Sequence, residues 1–383
     1  MSKINIFHMA PYPYYAGGID SWLDNFVRSL LDDGFDVNLF CFDAEDIMDR
    51  KMVFEAIESE KLRIHYLPSL EGLLSAPLWL MRYMWALRRT KLYPEVSDRS
   101  IVLSTLPILP VILLSRIFGL IKGELICSVR GQIAQDCLDL GKPKLLSLAV
   151  KLVEGISLRL SDLVVANGQD TANYLLRFYS IPSRVSPNGV SNRFFDRVEV
   201  DPELRTLSDF SGKTIFLHVG TLRPVKGIHF ILKAYSLLTK VERERSLLVF
   251  IGKGMIEDYQ KQADELDINV MFLGHKNNVV QFLQKVDFVI NVSGGSGVSN
   301  SLIEALMLGK PVIAWDKPTF SQVLGDNNGI LCKEGDASSL SQALRDSIEG
   351  KMVFSREEII SSVNCFRWDS VYREWRIILG NTH

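Results

Sequence analysis

The sequence predicts an α/β protein built from two parallel sheets with helices on both faces of each. Three observations lead to this fold class: the length of the chain, the alternation of strand-like and helix-like segments, and the restart of that alternation near its middle. The chain has 383 residues, of which 47% are hydrophobic and 23% charged. This is the length of two domains of ordinary size. Strands that alternate with helices are typical of parallel sheets.

The first half opens with a strand, a helix and a second strand. Residues 4–9 are mostly apolar and predict the first strand, and a Gly17-Gly18 turn leads from it into a helix. Residues 35–41 alternate between apolar and polar side chains and predict the second strand. The helix between them carries its apolar residues on one face, at Ile19, Trp22, Leu23, Phe26, Val27, Leu30 and Leu31.

A long apolar segment from Ile101 to Ile121 has about the length that crosses a bilayer. Two prolines and an arginine interrupt it, at Pro107, Pro110 and Arg116. We therefore favour a buried strand over residues 101–106 and a helix over about residues 110–120, rather than a membrane span.

The pattern restarts near residue 212. Residues 214–219 predict a strand, 220–227 a loop and 228–238 a helix. Four further apolar runs predict the other strands of a second sheet, at 247–252, 270–274, 288–292 and 311–315. Turn-forming and polar residues place the hinge near 190–210. We expect one Rossmann-like domain over residues 1–195 that binds the acceptor, a second over 196–364 that binds the donor, and a C-terminal helix over 365–383 that crosses back to the first.

The composition argues against several classes of protein. A net charge of −2 provides no general attraction for polyanions, so we expect no nucleic-acid partner. The five cysteines are scattered and form no Cys-x-x-Cys pair, which is typical of a reducing compartment. The N-terminus has no long apolar segment before a cleavage site. We therefore expect a cytoplasmic protein.

A first candidate site is the loop from Gly220 to Gly227, which lies between a strand and a helix. It holds two glycines and two cations, Arg223 and Lys226. Backbone N–H groups, the positive end of a helix dipole and side-chain cations together suit a diphosphate. The loop lacks the Walker pattern. The alternative is an ordinary solvated turn whose cations are only surface charge.

A second candidate site is the glycine-rich loop over residues 293–300, which follows a predicted strand and begins a helix. The start of that helix can hold an anion or sugar hydroxyls. Glu304 has two interpretations that the spacing leaves equal. It either binds a ligand, or it caps its own helix through the Ser301-x-x-Glu304 pattern of a capping box.

These segments resemble the C-terminal half of the GT-B retaining glycosyltransferases of family four, the glycosyl transferases group 1. The resemblance rests on the order and spacing of five segments: Val219–Leu222 with Lys226-Gly227, Phe250–Gly254, Val270–Gly274, Leu302–Leu306, and Gly309–Ala314. The first half agrees more loosely, through Gly17-Gly18, Asp162–Asn167 and Pro187–Val190.

The resemblance implies two Rossmann-like domains facing across a cleft, and transfer of a sugar with retention of configuration. The co-substrate is then a UDP- or GDP-sugar, and no cofactor is expected. Lys226 would neutralise the diphosphate, Glu304 would bind the ribose, and the Gly17 and Gly18 amides would approach the phosphate. Because the chain has no Asp-x-Asp and no clustered histidines, we expect no metal. Further donor-binding residues are expected at Gly220, Thr221, Gly252, Ser296, Gly297, Val298, Ser299 and Asn300.

Three positions depart from the family pattern. Thr221 stands where the family usually has an arginine, and Arg223 is the candidate replacement. Ser296 stands where the first glutamate of a pair is expected. Arg130 replaces a histidine and is either a catalytic cation near the sugar or part of a structural salt bridge. These departures keep open a weakened nucleotide-sugar-binding partner subunit. A nucleotide-sugar epimerase is the other alternative.

The acceptor is expected to be a glycan or a lipid-linked sugar, in cell-surface polysaccharide synthesis. His8, at the end of the first strand, is a candidate acceptor contact or else a core residue. Residues 73–91 mix aromatic and basic side chains, including Trp85, Arg88 and Arg89. They predict either a helix that lies on the inner face of an anionic membrane or an ordinary helix on the first sheet.

Overall fold

The computed structural model of the chain describes residues 3–12, 18–42, 59–67, 76–89, 98–134, 137, 143–191, 195, 201, 203–204, 212–276, 278–295 and 297–380. The chain divides into two compact units. The first unit contains Met1–Asn188 together with Glu374–His383, and the second contains Gly189–Arg373.

The first unit is a parallel sheet with helices between its strands. In the described residues the strands are β1 (Lys3–Pro11), β2 (Asp36–Phe42), β3 (Leu62–Leu67), β4 (Arg99–Leu103), β5 (Glu124–Val129), β6 (Leu163–Ala166) and β7 (Arg184–Val185). The helices are α1 (Gly18–Asp32), α2 (Ala76–Arg89), α3 (Ile108–Ile117), α4 (Lys144–Arg159) and α5 (Gln169–Tyr179). The strand order is β3-β2-β1-β4-β5-β6-β7, and every pairing is parallel.

The apolar segment after residue 100 lies in the core of this unit. Ile101, Val102 and Leu103 of β4 are buried in the middle of the sheet, and Ile108 and Ile112 of α3 are fully buried. The predicted strand and helix are therefore confirmed, with the helix beginning two residues earlier than expected. Among the described residues, no helix is both long enough and apolar enough to cross a membrane.

The second unit is also a parallel α/β sheet. Its described strands are β8 (Thr214–Val219), β9 (Ser246–Ile251), β10 (Met271–Phe272), β11 (Phe288–Asn291), β12 (Val312–Trp315) and β13 (Gly329–Cys332), in the order β10-β9-β8-β11-β12-β13. Its helices are α6 (Ile228–Ser236), α7 (Lys240–Glu244), α8 (Ile256–Glu265), α9 (Val279–Lys285), α10 (Asn300–Met307), α11 (Pro318–Ser321), α12 (Ala337–Ile348) and α13 (Arg356–Ser362).

The boundary between the two units falls inside the last helix, α14 (Trp368–Ile378). Residues up to Arg373 belong to the second unit, and residues from Glu374 belong to the first. Within the first unit, Trp375 is fully buried and its ring packs against Trp22 and Phe26 of α1. Arg376 forms an ion pair with Asp33. The end of the chain is thus part of the first unit's core.

The predicted fold class of two Rossmann-like domains is confirmed by the two parallel sheets. In each sheet the chain order reverses once, between β1 and β4 in the first and between β8 and β11 in the second. In open α/β sheets, ligands bind outside the carboxyl ends of the strands at such a switch point. The loops that follow β8 and β11 are the two candidate loops of the sequence.

Candidate functional site

The two candidate loops of the second unit touch each other. The Gly294 N–H donates a hydrogen bond of 2.7 Å to the Val225 carbonyl, which joins the β11 loop to the β8 loop. Gly227 lies against the end of β11 with φ +71°, and a Cβ there would stand 2.5 Å from the Val292 carbonyl oxygen. Only glycine permits both this conformation and this approach. The switch point therefore brings both loops into one site.

The loop after β9 lies beside these two loops, at the edge of the second sheet formed by the carboxyl ends of its strands. Gly252 has φ +154°, and a Cβ there would fall 1.8 Å from the Gly220 carbonyl oxygen. The Leu222 N–H donates to the Lys253 carbonyl over 2.7 Å. Gly220, Thr221 and Gly252, which the sequence assigned to donor binding, are thus neighbours in the structure.

Two cations lie within one turn of this edge. A 3₁₀ turn over Pro224–Lys226 links them, and the Lys226 N–H donates to the Arg223 carbonyl over 2.9 Å. Lys226 is half-buried while Arg223 is exposed. Burial, and then the nearby Arg223 charge, lower the pKa of Lys226. A bound anion would counter both effects, so the pair suits a phosphate group.

The glycine-rich loop leads into α10, whose first helical residue is Asn300. Ser299 is the N-cap residue and makes no side-chain capping hydrogen bond, although its hydroxyl lies 2.7 Å from that of Ser301. Glu304 is the fifth residue of the helix, beyond the position of a capping-box glutamate. The capping-box interpretation is therefore wrong. Glu304 is half-buried, one helical turn from the start of α10.

Most of the other donor-binding residues predicted near α10 lie at its start, but one of them is outside the described residues. Val298 is buried, and Gly297, Ser299 and Asn300 are half-buried at the start of α10. Ser296, the position of the missing glutamate, lies outside the described residues.

Lys317 is a site residue that the sequence did not reveal. It follows β12, and its Nζ donates to the carbonyls of Ser293, Gly294 and Gly295 at 3.4, 3.0 and 3.4 Å. One ammonium thus holds three successive carbonyls of the glycine-rich loop, which fixes the direction of its backbone. The available signal was a cation directly after a strand next to β11, but no local motif pointed to it.

His218 lies inside β8 and is almost fully buried. Its Nδ1 lies 3.0 Å from the Ile290 carbonyl, which requires a proton on Nδ1. Its Nε2 is buried with no partner in the described residues. Burial, with a smaller contribution from the charge of Lys226, lowers the pKa of His218 to about 4. The ring is therefore neutral at physiological pH and couples β8 to β11 directly below the switch point.

The first unit has its own polar side chains, on β1 and at the carboxyl end of β5. His8 lies inside β1, which continues to Pro11, rather than at the strand end predicted from the sequence. The Nε2 of His8 lies 2.9 Å from Oδ1 of Asp20, and both residues are buried. The Arg130 guanidinium stacks 3.6 Å from the Trp22 ring centroid and donates to the Asn188 side chain over 2.7 Å.

Arg130 has no carboxylate partner among the described residues, so the salt-bridge alternative has no support there. Its Nη2 is buried with no hydrogen-bond partner, and burial lowers its pKa to about 9. The guanidinium is still a cation at neutral pH. Gly18 is the first residue of α1, whereas Gly17 lies outside the described residues.

Among the described residues, no cluster of three or more histidine, cysteine, aspartate or glutamate side chains could hold a metal ion. The expectation of a metal-free reaction stays a prediction.

Residues 201–362 match the family model "Glycosyl transferases group 1". Over these residues the chain is similar to that family. The matched residues contain Arg223, Lys226, Glu304 and Lys317, and therefore the whole edge described above for the second unit.

Several known proteins are similar to the chain. An uncharacterised glycosyltransferase of Methanocaldococcus jannaschii is 24% identical over 397 residues, covering 96% of this chain and 95% of that protein. The phosphatidyl-myo-inositol mannosyltransferase of Mycobacterium leprae is 30% identical over 162 residues, covering 41% and 42% of the two chains. The crystal structure of Anabaena HepE in complex with UDP has a TM-score of 0.73 at 15% identity, covering 99% of both chains. At that identity the structural likeness shows the fold, and HepE has also been solved with UDP-glucose.

Proposed function

We propose that the protein is a retaining glycosyltransferase that moves a sugar from a UDP- or GDP-sugar to a glycan or lipid-linked acceptor. The observation that carries this proposal is the pairing of Arg223 and Lys226 at the switch point of the second sheet, in a loop that contacts the glycine-rich loop before α10. A half-buried lysine beside an exposed arginine, close to a loop that begins a helix, is suited to a diphosphate.

The chemistry follows from the charge that develops during transfer. Breaking the bond between the sugar and the diphosphate leaves negative charge on the departing phosphate, and preorganised donors lower the barrier by stabilising that charge. Lys226 and Arg223 would stabilise the negative charge on the phosphate with their cationic side chains. Glu304, on the same helix as the N-terminal amides of α10, would accept hydrogen bonds from the ribose hydroxyls.

The first unit would bind the acceptor. The unpaired Nη2 of Arg130 offers a hydrogen-bond donor and a positive charge at the end of β5. His8, on β1, would contact the acceptor hydroxyl. Retention requires the hydroxyl to attack on the face that the diphosphate leaves, and its proton then passes to the leaving phosphate.

Two similar proteins guide the choice of substrates. HepE was solved with UDP and with UDP-glucose, so uridine donors are the first to test. The Mycobacterium leprae relative is named as acting on phosphatidyl-myo-inositol, so a lipid-linked acceptor has precedent. We further propose that the reaction takes place in the cytoplasm without a metal ion and serves cell-surface polysaccharide synthesis.

The test is transfer from UDP-glucose, UDP-N-acetylglucosamine and GDP-mannose to an extract of lipid-linked glycans, with and without EDTA. Release of free UDP or GDP that depends on the extract, and that EDTA does not reduce, supports the proposal. Binding of UDP without any release would instead indicate a nucleotide-sugar-binding partner subunit.

A second mechanism has one observation in its favour. The His8–Asp20 pair could act as a general base on the acceptor hydroxyl, because Asp20 orients the ring and Nδ1 has no partner among the described residues. That route inverts the sugar configuration. Proton NMR of the first-formed product from UDP-glucose or UDP-N-acetylglucosamine decides between the two, since the H1–H2 coupling constant of these sugars differs between the retained and the inverted linkage.

A further inference from the structure

Helix α4 in the first unit directs its large apolar side chains to solvent, whereas an ordinary surface helix buries them. Its buried residues are polar or small apart from one leucine: Ser147, Glu154, Gly155, Ser157 and Leu158. Its large apolar side chains point to solvent instead. Leu145 is 79% exposed, Leu148 and Leu152 are each 63% exposed, and Ile156 is 49% exposed.

These four side chains follow the period of the helix. Their spacing of three, four and four residues places them in one row, about 16 Å long. Leu146, Val153 and Leu160 are also exposed beside or beyond this row. We call these seven residues the α4 face. A contiguous apolar surface of this kind on a folded protein marks an interaction site.

Buried hydrogen bonds hold the helix in this orientation. The Glu154 carboxylate accepts hydrogen bonds from the Thr105 hydroxyl and, over 2.6 Å, from the Tyr179 hydroxyl. A rotation that turned the leucines inward would break both bonds and expose Glu154, which is 1% exposed. The outward direction of the α4 face is therefore built into the core.

The apolar surface continues onto α5. Leu176 and Phe178 are 58% and 42% exposed. The Lys151 ammonium lies 4.7 Å from the Phe178 ring centroid, so the two helices present one surface.

Charge identifies the partner. Glu154 is the one acidic residue between Lys144 and Leu160, and it points inward, whereas Lys144 and Arg159 are exposed and Lys151 is half-buried. Arg177 on α5 adds another exposed cation. Exposed leucines bordered by cations suit the surface of an anionic bilayer, where the apolar groups enter the acyl boundary and the cations contact lipid phosphates. Self-association through the same face would place these cations against each other.

We propose that the α4 face docks the protein on an anionic lipid surface. This site differs from helix α2, which the sequence singled out and which buries Tyr83 and Leu87 against the core. The proposal does not depend on the proposed function, because docking can be measured without any sugar transfer.

The test is co-sedimentation of the full-length protein with vesicles of phosphatidylglycerol and phosphatidylcholine in equal parts, and with vesicles of phosphatidylcholine alone. The wild type is expected to bind the anionic vesicles and to be released by salt. The triple substitution Leu148→Gln, Leu152→Gln, Ile156→Gln is expected to weaken binding by about tenfold or more, because it removes apolar groups from the lipid contact. Its melting temperature should match the wild type, since all three side chains are exposed.

A matched control places the same change on the second unit, at exposed Leu237, Val241 and Val353. Leu237→Gln, Val241→Gln, Val353→Gln should bind vesicles like the wild type. Charge reversal by Lys144→Glu and Lys151→Glu should lower binding by about fivefold or more for each cation at low salt.

Three results would each overturn the proposal. The first is no binding of the wild type to anionic vesicles at low salt. The second is equal loss of binding in the α4-face variant and the control. The third combines two observations. The wild type forms a dimer in analytical ultracentrifugation without vesicles, which the α4-face variant does not form, and the wild type does not bind the vesicles.

Discussion

Replacement of Lys226 by methionine tests the proposed chemistry most directly. Methionine keeps much of the aliphatic stem and removes the ammonium. In the structure this charge is half-buried next to Arg223, and both features lower its pKa. The free protein therefore holds two cations together at a cost that a diphosphate would relieve. Losing one preorganised donor to a developing oxyanion reduces kcat by about a hundred- to a thousandfold, or about 2.7–4 kcal/mol.

Lys226→Met lowers kcat in this proposal, but it is not expected to lower the stability of the fold. Because the pKa of Lys226 is lower in the folded protein than in the unfolded chain, the charged form favours unfolding at neutral pH. Lys226→Met should therefore melt at the same temperature as the wild type or higher. A loss of activity with an unchanged melting temperature separates chemistry from folding.

The assay is release of UDP from UDP-glucose, or from whichever donor of the panel is active, in the presence of acceptor. Lys233→Met is the matched control, since Lys233 is exposed on α6 of the same domain. The reasoning is refuted if Lys226→Met keeps kcat within about threefold of the control, which would mean that this cation does not stabilise the transition state.

Three other predictions concern the same domain. Lys317→Met should lower kcat/KM for the donor by about ten- to a hundredfold through displacement of the glycine-rich loop, with partial recovery in Lys317→Arg; equal activity of all three proteins would exclude this role. Gly252→Ala should destabilise the fold by at least ~3 kcal/mol in urea unfolding, because its Cβ would meet the Gly220 carbonyl, whereas Gly350→Ala, with open space around it, should cost only ~1 kcal/mol. Since the pKa of His218 falls from 6.5 to about 4 on folding, the unfolded chain gains a proton first as the pH drops. Stability should then decrease by about 2 kcal/mol between about pH 7.5 and about pH 5, and His218→Asn, which keeps a donor near Ile290, should remove most of that slope.

Much of the second sheet could be predicted because its strands are buried on both faces. Continuous apolar runs predicted β8, β9, β11 and β12 to within one or two residues, and glycines marked the loops that follow β8 and β11. β13 was missed because Gly329–Cys332 is short and only part of it is buried. β10 is two residues long although five were predicted.

The candidate site was predictable where a loop carries its own chemistry. Arg223 and Lys226 stand in one short loop, so their proximity could be inferred from sequence alone. Lys317 could not be placed, because its three carbonyl partners lie more than 20 residues earlier and meet it only through the pairing of β11 with β12. The role of Glu304 depended on a helix start that the sequence left ambiguous and that Asn300 fixes.

The outward leucines of α4 were beyond sequence reasoning for a different reason. Periodicity reveals that a helix has an apolar stripe but not which way the stripe points. Here the direction is set by Glu154, whose partners Thr105 and Tyr179 come from distant parts of the chain.

The membership of Glu374–His383 in the first unit has a consequence for how the protein is made. A ribosome synthesises Trp22 and Phe26 early, but Trp375, which covers them, emerges only after the whole second unit has been translated. Until then, Trp22 and Phe26 of the nascent first unit remain uncovered, and chaperones can bind this aromatic surface. Ending translation just before Trp375 should yield a product that is captured by holdases and degraded rather than an active shorter enzyme.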